Sequence, residues 1–228
     1  MKREGLIILL VSMLVCGLIF TPALSMSNKN SENRISGPRA NLIVGPGQTY
    51  TTIGDAITAA TSGDTIYVYA GTYTEEVVLD KTLTLVGNSS ADTIIDSSGA
   101  NVPLDIKIDN CNVNGFTIRG SGGAATDAGL LINSSFNHIL DCIIRDNQGN
   151  GIRLESAGSN NTIENCLVTN NSRHGIKIIS SNNNLVKICT IIANDEDGIN
   201  LQNTNSNTFE NNSISDSLTA SKSSISFM

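Results

Sequence analysis

GIRLESAGSNNTIENCLVTN (151–170) and GIKIISSNNNLVKICTIIAN (175–194) are one pattern written twice, and two weaker copies flank them. Glycine followed by an aliphatic residue opens each copy, at Gly129-Leu130, Gly151-Ile152, Gly175-Ile176 and Gly198-Ile199, with steps of 22, 24 and 23 residues. An asparagine follows in every copy: Asn137, Asn161, Asn184 and Asn207. Five residues later stand Cys142, Cys166, Cys189 and, in the last copy, Asn212; two further on come Ile144, Val168, Ile191 and Ile214. The apolar period inside a copy is two. Ile152 and Leu154, or Ile176 and Ile178, point one way while Arg153 or Lys177 points the other, which is strand geometry.

Short strands separated by Gly, Asn, Ser and Asp turns, repeated every 23 or so residues, cannot bury an inner face alone. They must stack. Leucine-rich repeats share the length, but their L-x-x-L-x-L signature is missing. The pattern therefore predicts an all-β, single-stranded parallel β-helix in which each copy is one turn and equivalent residues lie ~4.8 Å apart along the axis.

The copies resemble the right-handed parallel β-helix repeats of the pectate-lyase-like superfamily, and within it the NosD-type and archaeal surface-protein branch, through the N-N-x-I and G-I-x-L phrases. The likeness runs from about Asn41 to Ser217. It implies a fold more than an activity, because one fold hosts many chemistries. The phrases A-G-T-Y-x-E-x-V (70–77) and L-T-L-V-G (83–87) are also similar to the N-terminal start of plant-type pectin methylesterases. The D-F-I-F-G and L-G-R-P-W segments of that family are absent, so this block is read as a shared cap and first turn.

Taken from its start, the chain opens with a charged residue cluster, an apolar run from Gly5 to Phe20 and small residues at Ala23 and Ser25. Residues 1–25 are expected to be a signal peptide, the alternative being a short membrane anchor. Residues 26–41 read as a linker. The β-helix is expected over 42–217, opened by a short capping helix at about 51–61, where Ile53, Ala56, Ile57 and Ala60 fall at helical spacing. Residues 218–228 read as a tail without the Gly or Asn of a further copy. The end at Ser217 therefore looks unfinished, which predicts cover by the tail or a partner, and self-association. The net charge of −7, or −8 once Lys2, Arg3 and Glu4 leave with the leader, argues against nucleic acid as a partner.

Stacking assigns roles to columns of residues. Asn137, Asn161, Asn184 and Asn207 are expected to form an asparagine ladder, each amide bonding the next, with Cys111 aligned one place before Asn137. Cys142, Cys166 and Cys189 share the inward phase of Ile144, Val168 and Ile191. They are expected to be free, buried plugs, because rungs ~4.8 Å apart exceed the ~3.8 Å that a disulfide wants between Cβ atoms. Sequons at Asn88, Asn133, Asn160, Asn170 and Asn211 are glycosylation candidates.

Outward columns carry the functional leads. Leu140, Glu164, Lys187 and Glu210 alternate in sign and set register. Leu131, Arg153, Lys177 and Asn200 put two like charges on adjacent turns, which an anion or the neighbouring Glu155 would neutralise. The superfamily resemblance implies an acidic-sugar groove on such a face. His174, in SRHGIKI (172–178), is similar to the G-H-G segment of polygalacturonases, and stacking places Asp197 over it and Glu196 over Arg173: either an acid/base pair or plain ion pairs. That family's paired aspartates and R-I-K segment are missing. NosD-type proteins are named for a copper-maturation system, yet His138 and His174 are the sole histidines and no His/Met cluster exists, so the likeness carries fold rather than copper. No cofactor or metal is expected. Calcium enters only with a lyase, for which Asp195, Glu196 and Asp197 are the acidic run. The resulting expectation is an exported, extracellular or cell-surface, non-catalytic scaffold or carbohydrate-binding module, meeting a cell-surface glycan or surface-layer protein. The alternative is a polysaccharide lyase, epimerase or hydrolase acting on uronate-rich glycans.

Overall fold

The computed structural model describes residues 40–155, 158–215 and 225–227; the expected leader and nearly all of the linker lie outside them. The chain winds as a right-handed parallel β-helix with three sheets along its length, of eight, seven and seven strands, every pairing parallel. Rungs pair in the register read from the repeat: Ile152 with Ile176 and Ile176 with Ile199 on the third sheet, Ile144 with Val168 and Val168 with Ile191 on the second. A three-strand turn leaves a narrow interior, and aliphatic columns fill it. Leu79, Ile106, Ile132, Leu154, Ile178 and Leu201 follow one another down the third sheet, all buried. Each such side chain contributes about 1.5–3 kcal/mol, so aromatic poverty costs little.

The corners explain the Asn and Cys columns. Asn110, Phe136, Asn160, Asn183 and Ser206 all have positive φ, and each immediately precedes Cys111 or one of the ladder asparagines. Asp141, Asn165, Ile188 and Asn211 do the same before Cys142, Cys166, Cys189 and Asn212. One left-handed residue swings the chain through the corner and aims the next side chain inward. Asn and Asp tolerate that conformation and dominate these positions.

The N-terminal end is closed by the helix Ile53–Ala59, inside the expected span, with Ile53, Ala56 and Ile57 buried against the first rungs. Seven residues leave most helical N–H and C=O groups without intrahelical partners. Two charged side chains supply them. The Glu75 carboxylate accepts from the N–H groups of Ile53 and Gly54, both at 2.9 Å, and Lys81 Nζ donates to the carbonyls of Ile57, Thr58 and Ala60 at 2.8–2.9 Å. Each charge also opposes the helix-dipole end it meets.

At the other end the expected boundary needs correction. Residues 218–228 are not wholly a tail, because Ile225–Phe227 pairs with Ile199–Leu201 and extends the third sheet by one rung. The strand Ile199–Gln202 offers the edge it pairs with, and the added rung lacks the glycine of the repeat. The N-terminal strand Asn41–Val44 likewise begins one residue before the expected start.

Candidate functional site

The outer face of the third sheet collects the residues singled out from the sequence. Its central column runs Val78, Asp105, Leu131, Arg153, Lys177 and Asn200. Arg153 is not open to a ligand. Its residue exposure is 8%, its Nε donates to Glu155 at 2.8 Å, its Nη2 lies 2.6 Å from the same carboxylate, and its Nη1 donates to the Ala125 carbonyl at 2.9 Å. Ala125 belongs to the segment joining the strands Thr117–Arg119 and Ala128–Ile132, which closes over the guanidinium. Glu155 therefore neutralises Arg153, the plainer of the two readings of that pair.

Lys177, one rung further, is half-buried and has no ion pair among the described residues. Burial holds its ammonium below the ordinary lysine value, with Arg153 and Arg173 adding repulsion and Glu196 and Asp197 opposing it. On the other side of Arg153, burial lifts the Asp105 carboxyl above its usual range against the pull of Lys107 at 3.3 Å, and Asp105 Oδ1 is buried without a hydrogen-bond partner.

His174 and Asp197 occupy the positions two residues before Ile176 and Ile199, one rung apart, as stacking requires. His174 Nε2 meets Glu196 Oε2 at 2.9 Å, and the Asp197 backbone N–H donates to His174 Nδ1 at 3.2 Å. Glu196 also lies 3.7 Å from Arg173, and Asp197 accepts from Asn200 Nδ2 at 2.8 Å. An N–H directed at Nδ1 favours a neutral imidazole with its proton on Nε2, although Asp197 Oδ2 lies 3.4 Å from the same nitrogen. Burial lowers its pKa accordingly and outweighs the two carboxylates. Both ring nitrogens thus have partners within the protein. The structure brings together what the sequence held apart: Lys177 shares one field with Arg153, Arg173, Glu196 and Asp197.

Inside the solenoid the expected ladders are present. Asn137, Asn161 and Asn184 each donate backbone N–H and Nδ2 to the Oδ1 of the next asparagine, ending at Asn207, and Cys111 N–H donates to Asn137 Oδ1. A second ladder escaped the sequence reading: Ser121, Asn147, Asn171 and Asn194, bonded in the same manner. Its signal was available, since those asparagines follow Cys142, Cys166 and Cys189 by five residues. The cysteines are free and buried, each thiol donating to the carbonyl two residues before it, Leu140, Glu164 or Lys187, at 3.2–3.3 Å. On the first sheet Glu164 pairs with Lys187 and His138, both at 3.1 Å. Of the sequon asparagines, Asn88, Asn160, Asn170 and Asn211 are exposed and Asn133 is half-buried.

A protein-family profile, described as periplasmic copper-binding protein (NosD), matches residues 57–228. The chain belongs to the NosD family. A 67-residue stretch is 45% identical to probable pectinesterase A of Aspergillus niger, covering 27% of this chain but only 20% of that protein. Among solved structures, the NosD-family chain is similar to pectate lyase Pel9A, with a TM-score of 0.65 and 15% identity over 82% of this chain and 57% of that one. It is also similar to pectin methylesterase from A. niger, with a TM-score of 0.51 and 19% identity over 85% and 91%. These likenesses establish the pectate-lyase-like fold. No helix among the described residues is long and apolar enough to cross a membrane.

The family description names copper. No group of three or more His, Cys, Asp or Glu among the described residues is arranged to surround an ion. His138 lies in a strand of the first sheet and His174 just before the third-sheet strand Ile176–Ile179, each beside a carboxylate. Among the described residues, the donors do not fit a copper site of three or more ligands.

Proposed function

We propose that this NosD-family chain is an exported, non-catalytic β-helix scaffold that binds acidic glycans at Lys177 on the outer face of the third sheet. The observation that carries the proposal is the half-buried Lys177 ammonium, unpaired among the described residues and flanked by two arginines. A carboxylate of a uronate would relieve that repulsion. Arg153 supports the site from below without touching the ligand, since Glu155 and Ala125 hold it. The engaged ring of His174 supports the non-catalytic half of the proposal.

Export draws on the charged, apolar and small-residue order of residues 1–25 and on the periplasmic description of the family. The partners that follow are a cell-surface glycan or surface-layer protein. A second copy is also proposed at the C-terminal end, where the strands Thr208–Glu210 and Ser213–Ser215 have no further rung among the described residues.

The second reading is a lyase, epimerase or hydrolase of uronate-rich polymers. It is favoured by Asp105, whose raised pKa and unpartnered buried oxygen suit an acid, and by the pectin-directed names of the similar proteins. Incubating the purified protein with a panel of acidic polysaccharides, with and without calcium, decides between the readings. Binding at low salt that Lys177→Ala weakens, with no unsaturated product, methanol or new reducing ends, is expected. Product release would establish the enzyme instead.

A further inference from the structure

Phe136 and Ile188 sit at corners where neighbouring turns mostly place Asn or Asp. Both have positive φ, +59° and +57°, and at 58% and 51% they are the most exposed large apolar residues among those described. A left-handed backbone costs such residues about 1–2 kcal/mol, and side chains left in water recover none of it. A cover over them would. The two residues border one surface: Phe136 stands two places before the first-sheet strand His138–Leu140, and Ile188 directly after Leu185–Lys187, two rungs along. Leu140 and Leu185, half-buried, face outward between them.

The charges on that surface indicate what covers it. Its outer column runs Leu140, Glu164, Lys187 and Glu210, with Glu164 and Lys187 3.1 Å apart on adjacent rungs. A column of alternating sign is complementary to its own inverted copy. A two-fold axis parallel to the strands and midway between those two rungs sets Glu164 of each copy against Lys187 of the other. The same axis carries Phe136 along its corner to Ser206 of the second copy, which borders a pocket of about 200 Å³ with apolar Leu201 and Phe209 in its walls. We propose that the outer face of the first sheet is an isologous dimer interface, two copies packed face to face with their solenoid axes antiparallel.

A two-fold axis along the solenoid would instead set Lys187 against Leu185 and desolvate its charge without a new partner. In the antiparallel arrangement Leu185 and Ile188 of the two copies meet about the axis, one rung of ~4.8 Å apart along the solenoid. Glu210, exposed, stays at the rim. The apolar residues supply affinity and the charges fix register. The first sheet has no strand beyond Thr208–Glu210 among the described residues, so the copies overlap over few rungs and the contact is of the small, reversible class. Lys177, on the third sheet, remains open in both copies, and the interface does not depend on its having a ligand.

Sedimentation velocity of the purified protein at concentrations up to about 1 mM tests the interface. A reversible monomer–dimer equilibrium is expected. Phe136→Ser and Ile188→Asn each weaken it, by at least about 10-fold for Phe136→Ser, as truncation of an apolar anchor does. Lys187→Glu and Glu164→Lys each set like charges across the axis and lose about 10-fold or more. Mixed in equal amounts, these two variants recover the dimer, because every charge then meets its opposite in the other chain; a merely intramolecular ion pair would not respond to mixing. Breaking that exposed pair within one chain costs little, so the charge variants are expected to fold, and Phe136→Ser and Ile188→Asn carry the test without them. A monomer at the highest concentration overturns the proposal. So does a dimer that Phe136→Ser leaves intact, as association through the C-terminal end would give, or a mixture of the charge variants that stays monomeric.

Discussion

The Oδ1 atom of Asn161 accepts both the backbone N–H of Asn137 at 2.8 Å and the Asn137 Nδ2 amide at 3.0 Å, across one turn of the helix. Asn161 itself is 1% exposed, so water cannot replace those bonds. Asn161→Ala is therefore expected to destabilise the protein by about 2–4 kcal/mol, the cost of buried donors left unmatched. Asn207→Ala, at the half-exposed end of the same ladder, is expected to cost less. Urea unfolding of the two variants side by side measures the difference.

Ile188 has φ of +57° and is 51% exposed, at the corner position that Asp141, Asn165 and Asn211 occupy in the neighbouring turns. A β-branched residue pays about 1–2 kcal/mol for that conformation and gains nothing from burial here. Ile188→Asn is expected to raise the midpoint of thermal unfolding, by about 1 kcal/mol of added stability.

Gly175 is required by packing rather than by a positive φ. A methyl group there would come within 2.6 Å of both the Gly198 carbonyl oxygen and Ile191 Cγ2, and within 2.7 Å of Asn194 Nδ2 in the second ladder. Gly175→Ala is expected to cost about 1–3 kcal/mol, as overpacking does, and to loosen the ladder locally. Amide hydrogen exchange around Asn171 and Asn194 would register that loosening.

Arg153 and Lys177, adjacent in one column, are expected to respond oppositely. Arg153→Ala strands Glu155 beside Asp105 and removes a bond to the Ala125 carbonyl, a loss of about 3 kcal/mol by comparison with broken buried pairs. Lys177→Ala removes repulsion and is expected to leave stability within about 0.5 kcal/mol while weakening glycan binding. Denaturation and low-salt binding assays on both variants separate the two roles.

The neutral His174 adds a pH dependence. Its pKa in the folded protein is below that of the unfolded chain, near 6.5, so the unfolded state binds the proton more readily. Its contribution is complete above about pH 6.5 and is lost as pH falls from there through the lowered folded value. His174→Gln is expected to flatten the stability profile in that window; an unchanged slope would show that the imidazole is not the group responsible.

How much of this was legible without coordinates follows from how a β-helix is built. Equivalent residues of successive turns become neighbours, so equal offsets in the repeat were enough to place Leu140, Glu164, Lys187 and Glu210 in one column and Asp197 over His174. The inward phase of the cysteines and the ladder from Asn137 to Asn207 followed from the same arithmetic. Asn147, Asn171 and Asn194 obey it too, each five residues after a cysteine of the column.

What depended on non-repeating segments lay beyond such reasoning. Nothing in the spacing showed that Ala125 roofs Arg153, because that contact is made by an inserted loop whose path is set by packing. The hold of Glu75 and Lys81 on the two ends of the capping helix was equally hidden; cover of the C-terminal end by the tail was expected, but not that Ile225–Phe227, without a repeat signature, would form a rung. Periodic sequence specifies periodic neighbours; which charges remain open to a ligand was decided where the period breaks, by loops that only the folded chain brings down onto the sheet.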